Sequence, residues 1–374
     1  MSALDRLTGD AQTFREKVWA SRVHHHQVDP DELAAYLSLE DADRLLTSTA
    51  IRTPEVRLVR QGEVLPESAY TRGATITGRA LTGLVDGRKA VEEFRNGATV
   101  VFQGLHRSFP PLVELIAELE TELGHPCQAN AYLTPPGSQG FGVHSDTHDV
   151  FVLQTAGRKQ WELHPPEGEE HPLLEPGHVM YLPTGTPHAA RAQDTVSLHV
   201  TIGINQLTWR GLVQRALASL ANEVPDDHLP AGYLDDPQTL AHQIGRHLSD
   251  IADRLRDIDP AREAEREVRR FLTSRPPRLE GALVDGLAVA DLDDDTLLRR
   301  RPGAPCVLVD RGEQLEVLLG DRTLTVPARL REALEVVRSH DRLRPRDLPL
   351  DEQSRVVLAR RLVREGLLRT VPEQ

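Results

Sequence analysis

Residues 128–205 constrain the fold more than any other part of the chain. Short runs of alternating apolar and polar residues are divided there by the Pro- and Gly-containing segments TPPGSQG, TAGR, HPPEGEE, LEPG and LPTGTP. Pro removes a ladder donor and Gly opens the φ values that tight turns need, so the pattern dictates many short antiparallel strands. Strands are expected over 128–133, 142–147, 150–154, 159–164, 178–182, 188–192 and 197–204. Such strands suit the two-sheet barrel of a double-stranded β-helix, which places the chain in the mainly-β class with added helices.

Side chains two apart on a strand share a face. In GVHSDTHD, residues 142–149, this spacing brings His144 and Asp146 to one side, and His188 arrives on a later strand behind the LPTGTP turn. Two imidazoles and one carboxylate on one face of a metal are the ligand set of non-haem iron(II) oxygenases, leaving adjacent positions open for cosubstrate and dioxygen. The His-X-Asp spacing alone is common, and buried histidines satisfied by their neighbours are the competing explanation; the strand-rich setting favours ligation. His148 falls on the same face and is expected near the site but outside the ligand set. His178 and His199 are expected to pack or support the ligands. The run His24, His25, His26 is expected to be a surface segment, because adjacent side chains diverge on any regular backbone.

A cationic strand residue supplies a second cluster. Lysine is scarce, with Lys17, Lys89 and Lys159 set against abundant arginine. Lys159, Trp161 and Leu163 share one strand face. Pointed inward, that ammonium group requires an anion, because an unpaired buried charge is costly, and the far carboxylate of 2-oxoglutarate meets the need. Asn130 and Tyr132 share a face of an earlier strand and offer an amide and a phenol, and Ser197 and Thr201 alternate likewise on the last strand. The competing account makes Lys159 a solvated charge at a strand edge.

Elsewhere helical spacing dominates. Residues 29–48, 209–220 and 237–272 read as helices, SRPPR at 274–278 reads as a linker, and residues 306–327 alternate as a strand pair or triple followed by two helices. Three parts are therefore expected: 1–206 as the barrel with a helical wrapper, 207–275 as a helical domain, and 276–374 as a winged-helix-like unit. The formal net charge of -13 argues against broad nucleic-acid binding and suits a basic protein or peptide as partner. No run approaches the ~20 apolar residues of a membrane helix. The N-terminus lacks the apolar core of a secretory signal, and Cys127 and Cys306 propose no disulfide framework. A cytoplasmic location is the expectation.

The stretches NAYLTPPGSQGFGVHSDTHDVFVLQTAGRKQWELHPP, LEPGHVMYLPTGTPHAA and SLHVTIGI resemble the JmjC-type ribosomal oxygenases of the cupin superfamily, which hydroxylate side chains of ribosomal proteins. The resemblance implies a JmjC barrel, a helical dimerisation domain and a C-terminal winged helix in this order, and hence a homodimer. It puts the metal ligands on His144, Asp146 and His188, the basic cosubstrate anchor on Lys159, and further cosubstrate contacts on Asn130, Tyr132 and Ser197. The implied reaction is iron(II)- and 2-oxoglutarate-dependent hydroxylation of an unactivated carbon in a protein or peptide side chain, with ribosomal proteins the leading substrates and succinate and carbon dioxide released. Two departures stand out: His178 where the family carries aspartate after Pro-Gly, and a shortened stretch between His188 and Ser197 on the substrate-facing rim. The same chemistry on a natural-product peptide or small molecule is the alternative within this class. A non-catalytic cupin sensor is the alternative from another class, and the intact ligand triad argues against it.

Overall fold

The computed structural model describes residues 1–138 and 142–371; Gln139 and Gly140 of the TPPGSQG segment lie outside them. The chain divides into two compact units, Met1–Gln206 and Leu207–Gln374.

In the first unit, α1 (Ala3–Thr8), α2 (Ala11–Lys17), β1 (His24–Gln27), α3 (Pro30–Ala34) and α4 (Leu39–Ser48) precede the main strands. Then come β2 (Val56–Arg60), β3 (Glu63–Val64), β4 (Thr71–Ile76), β5 (Arg79–Val85), α5 (Gly87–Arg95), β6 (Thr99–Phe102) and α6 (Pro110–Leu123). The unit closes with β7 (Cys127–Thr134), β8 (Asp149–Leu163), β9 (Leu173–Leu174), β10 (His178–Leu182) and β11 (His188–Ile204). All but the β4–β5 hairpin join one antiparallel sheet in the order β1-β10-β8-β11-β7-β6-β2-β3, with β9 on β8. Ser2 and Ser38 start α1 and α4 with reciprocal capping boxes to Asp5 and Asp41, which satisfies donors a helix start leaves bare. Leu4, Leu7 and Phe14 of the wrapper pack into one core with Phe102, Phe151 and Tyr181. Each such side chain contributes about 1.5–3 kcal/mol by leaving water.

Several expectations are corrected here. Residues 29–48 form two helices, because Ser38 caps a fresh start at Leu39. The His24–His26 run does lie at the surface with adjacent rings diverging, but as an edge strand that pairs His24 with Tyr181 and His26 with Val179. Residues 142–147 form no strand and touch the sheet through a single bridge between His144 and His188. TAGR makes no turn; it runs through the middle of β8, and the two strands expected at 188–192 and 197–204 are likewise one continuous β11.

The continuity of β8 hides an irregularity that decides what faces inward. Against β11 the register passes from His199↔Gln154 to Leu198↔Ala156, so Thr155 is an extra residue. One extra residue transfers every following side chain to the other face. Val150 and Val152 face the central cavity before the bulge, Lys159 and Trp161 after it. The next step jumps from Ser197↔Gly157 to Ala192↔Lys159, leaving residues 193–196 opposite Arg158. Gly157 sits at φ +63°, and a Cβ there would lie 1.6 Å from the Val196 carbonyl oxygen. Only glycine fits that approach.

The second unit holds α7 (Trp209–Ala221), α8 (Pro237–Arg256), α9 (Pro260–Leu272) and α10 (Ala282–Ala288), then β12 (Leu298–Arg300), β13 (Val307–Arg311), β14 (Gln314–Leu318) and β15 (Thr323–Pro327). It ends with α11 (Arg331–Ser339), β16 (Arg342–Leu343), α12 (Glu352–Arg364) and β17 (Leu368–Thr370). The helix expected over 237–272 is two, because Asp259 caps a new start with Pro260 at its first position. β13-β14-β15 form a meander, the triple rather than the pair, and β16-β12-β17 a second sheet whose Leu298, Leu343 and Leu368 pack on Leu334 and Leu362. Among the described residues no helix is long and apolar enough to cross a membrane.

Candidate metal centre and its cavity

His144 and His188 face each other across the isolated bridge, exchanging backbone N–H···O=C bonds of 3.0 and 2.8 Å. Their ring centroids are 4.4 Å apart. Each Nδ1 lies 2.9 Å from a carbonyl oxygen, that of Gly142 for His144 and that of Thr186 for His188. A carbonyl can only accept, so Nδ1 carries the proton and Nε2 presents its lone pair, the tautomer a metal ligand needs. Asp146 Oδ2 lies 3.8 Å from His188 Nε2, and one donor atom from each of the three side chains falls within 4.8 Å of the others. Burial holds the His188 imidazole below its ordinary pKa and so favours the neutral, ligating form. His188 is buried and His144 exposed, so the cluster opens to solvent on one side.

The cluster lines a cavity of about 240 Å³ to which β2, β6, β7, β8, β10 and β11 all contribute, so the sheet curls round a single space. Lys159 is 4% exposed, donates from Nζ to Thr134 Oγ1 at 3.3 Å, and forms no ion pair among the described residues. Burial alone pushes its ammonium group down to about 7. Beside it the buried His199 ring stacks on Tyr132 at 4.9 Å and meets Trp161 edge-on at 5.7 Å. Burial first, and the Lys159 charge second, hold that imidazole well below the histidine range. His199 Nδ1 and Trp161 Nε1 are buried without hydrogen-bond partners among the described residues. The phenol of Tyr132, raised in pKa by its burial, bonds to Arg57. The Lys159 ammonium, the Trp161 indole N–H and the Arg57 guanidinium thus place three kinds of donor on residues that line the cavity. Each donor left unpaired costs about 1–3 kcal/mol, which an anionic ligand offsets.

His144, Asp146, His188, Lys159 and Tyr132, all singled out from the sequence, meet at this cavity. Asn130 and Ser197 stand outside its lining: the Asn130 amide oxygen accepts from Gly104 N at 2.9 Å, and the fully buried Ser197 hydroxyl accepts from Gln154 Nε2 at 3.0 Å. His148 lies against Gln128 and Gly203, apart from the ligand atoms. His178 accepts from Glu175 N and serves its turn. His199 does more than pack, since it lines the cavity. Arg57 was missed by sequence reasoning. Its one signal is the alternation of VRLVR, which puts it on the face of the fully buried Val59, and the register Arg57↔Val101↔Tyr132 then aligns it with the cavity.

The JmjC domain family matches residues 108–173 and 167–212. Ribosomal oxygenase 1 of Rattus norvegicus is 32% identical over 237 residues, covering 56% of this chain and 37% of that protein. Ribosomal oxygenase 2 of Mus musculus is 25% identical over 337 residues, covering 81% of this chain and 66% of that protein. The matched part of the chain therefore spans less than two thirds of either relative's length. The ribosomal oxygenase YcfD of Escherichia coli, solved in complex with cobalt and 2-oxoglutarate, superposes with a TM-score of 0.55 at 18% identity over 98% of this chain and 99% of that one. At that identity the likeness concerns the fold.

Proposed function

We propose that this chain, which belongs to the JmjC-domain ribosomal oxygenase family, is an iron(II)- and 2-oxoglutarate-dependent hydroxylase of a protein or peptide side chain. One observation carries the proposal: a buried ammonium group, Lys159, with no counter-ion among the described residues, in the same cavity as a His-Asp-His cluster.

The residues fit the groups they would hold. Two neutral imidazoles and a carboxylate, with no thiolate, suit iron(II) and leave neighbouring positions open. The unpaired donors around Lys159 suit a dianion. When bound, iron(II) and 2-oxoglutarate supply dioxygen activation and the insertion of one oxygen atom into an unactivated C–H bond, with release of succinate and carbon dioxide. His144, Asp146 and His188 would hold the metal, the tautomers of the two histidines set by the carbonyls of Gly142 and Thr186. Lys159 would bind the far carboxylate, with Tyr132 orienting it and the unpartnered Trp161 N–H and His199 Nδ1 on residues of the same cavity. Asn130 and Ser197 would act from behind, Asn130 by fixing Gly104 and Ser197 by holding Gln154 at the bulge. Val150, Val152, Leu182 and Ala190 give the cavity its apolar walls and limit water.

The net charge of -13 supports a basic target, and the family's name supports a ribosomal protein, a target that would be met in the cytoplasm. Helices α7 and α8 leave Trp209, Val213, Leu217 and Leu248 exposed, which supports residues 207–275 as a homodimer surface and leaves 276–374 as a winged-helix-like docking unit. Incubating the protein with iron(II), 2-oxoglutarate and a ribosomal protein fraction should add the mass of one oxygen to a basic protein. The same gain with an Asp146→Ala variant would contradict the assignment.

A further inference from the structure

We infer that Asp149 is a positioning residue for the metal centre, its buried carboxylate locking the segment that carries Asp146 to the turn that carries His188. The inference rests on the metal-centre proposal above and assigns a role to a residue outside the ligand set.

Asp149 opens β8 and is 2% exposed. It forms no ion pair among the described residues and takes hydrogen bonds instead. Thr184 donates to Oδ1 from its backbone N–H at 2.8 Å and its hydroxyl at 2.6 Å, and the Tyr181 hydroxyl donates to Oδ2 at 2.5 Å. Thr184 belongs to residues 183–187, the turn that delivers His188. Within that turn Gly185 N donates to the Asp146 carbonyl at 3.0 Å, and the Thr186 carbonyl accepts from His188 Nδ1 at 2.9 Å. One short turn therefore touches the backbone of one ligand and sets the tautomer of another, while Asp149 holds the turn by its first residues. Tyr181 in turn accepts from Ala20 N at 2.9 Å, which ties the N-terminal wrapper to the same carboxylate.

A buried carboxylate costs several kcal/mol of desolvation, so three donors converging on it point to a geometric task. The task requires two acceptor oxygens. In Asp149→Asn the remaining oxygen can keep the Thr184 pair, but the new amide can only donate, so the Tyr181 hydroxyl must turn to accept from it as well as from Ala20 N, and the short bond to a charged oxygen on that side of the clamp is lost. Partners behind metal ligands are worth about 10- to 100-fold in metal affinity.

The full-length wild type, Asp149→Asn, Tyr181→Phe and a packing control, Phe14→Leu, are compared by thermal unfolding without metal and by anaerobic iron(II) titration at a temperature where each is folded. Asp149→Asn is expected to bind iron(II) about 10- to 100-fold more weakly, and Tyr181→Phe more weakly by a smaller factor. Phe14→Leu is expected to unfold earlier yet bind iron(II) as the wild type does. Wild-type affinity in folded Asp149→Asn overturns the inference and leaves the metal-centre proposal standing. Should that variant fail to fold, unchanged affinity in Tyr181→Phe overturns it equally. A wild type that binds no iron(II) removes the metal-centre proposal and this inference together.

Discussion

Lys159 sits in the cavity with its charge unbalanced among the described residues, and that imbalance sets how cosubstrate binding should respond to mutation and to pH. Truncation in Lys159→Ala would leave a carboxylate buried and unpaired, a cost of about 3–5 kcal/mol, or roughly a hundred- to thousandfold in the dissociation constant for 2-oxoglutarate. An unchanged constant by calorimetry would reject the role. The ammonium form binds the dianion, its pKa stands at about 7 in the free protein, and a bound carboxylate raises it. Affinity is therefore full below pH 7 and declines as the free lysine deprotonates, by roughly an order of magnitude between pH 7 and 8.5, with proton uptake on binding. A flat affinity across that interval would contradict the unpaired ammonium. This residue was legible from the sequence because lysine is scarce and because Trp161 and Leu163 mark its face as the inner one. Arg57 was not, because its approach to Tyr132 depends on the pairing of β2, β6 and β7.

Among the elements, β8 shows where alternation informs and where it fails. Alternation put Lys159 and Trp161 on one face of the second half, but it could not relate that half to the first, whose Val150 and Val152 line the same cavity. The extra residue Thr155 is a property of the pairing with β11, and nothing in β8 alone announces it. The segment carrying His144 and Asp146 is the reverse case: the two residues converge as expected, yet through a loop held by one bridge to His188 rather than through a strand. Gly157→Ala tests the bulge, since it adds a left-handed φ penalty and a Cβ at 1.6 Å from the Val196 carbonyl oxygen. It should cost about 2–4 kcal/mol of stability by urea unfolding, and in the folded fraction weaken 2-oxoglutarate more than iron(II), because Lys159 lies past the bulge and the metal cluster does not. Equal loss of both ligands would deny the bulge that directing role.

At the scale of the molecule, the outline of the first unit followed from turn residues and alternation, while the breaks inside the helical stretches depended on caps at Ser38 and Asp259 that a periodicity count passes over. Trp209 is 83% exposed and Leu248 60%, so Leu248→Asp should convert a dimer to a monomer in sedimentation, with the cavity untouched. A wild type that is monomeric at all concentrations would remove the interface proposed for 207–275. In the proposed reaction, three side chains and one lysine of a common cavity hold the iron(II) and 2-oxoglutarate that undergo oxidative decarboxylation. Protein loaded anaerobically with iron(II) and 2-oxoglutarate, then opened to air while succinate is followed, tests it most directly. Succinate is expected from the wild type, far less from Lys159→Ala at the same cosubstrate concentration, and none from Asp146→Ala. No succinate from iron-replete wild type, or wild-type formation by Asp146→Ala, would contradict it.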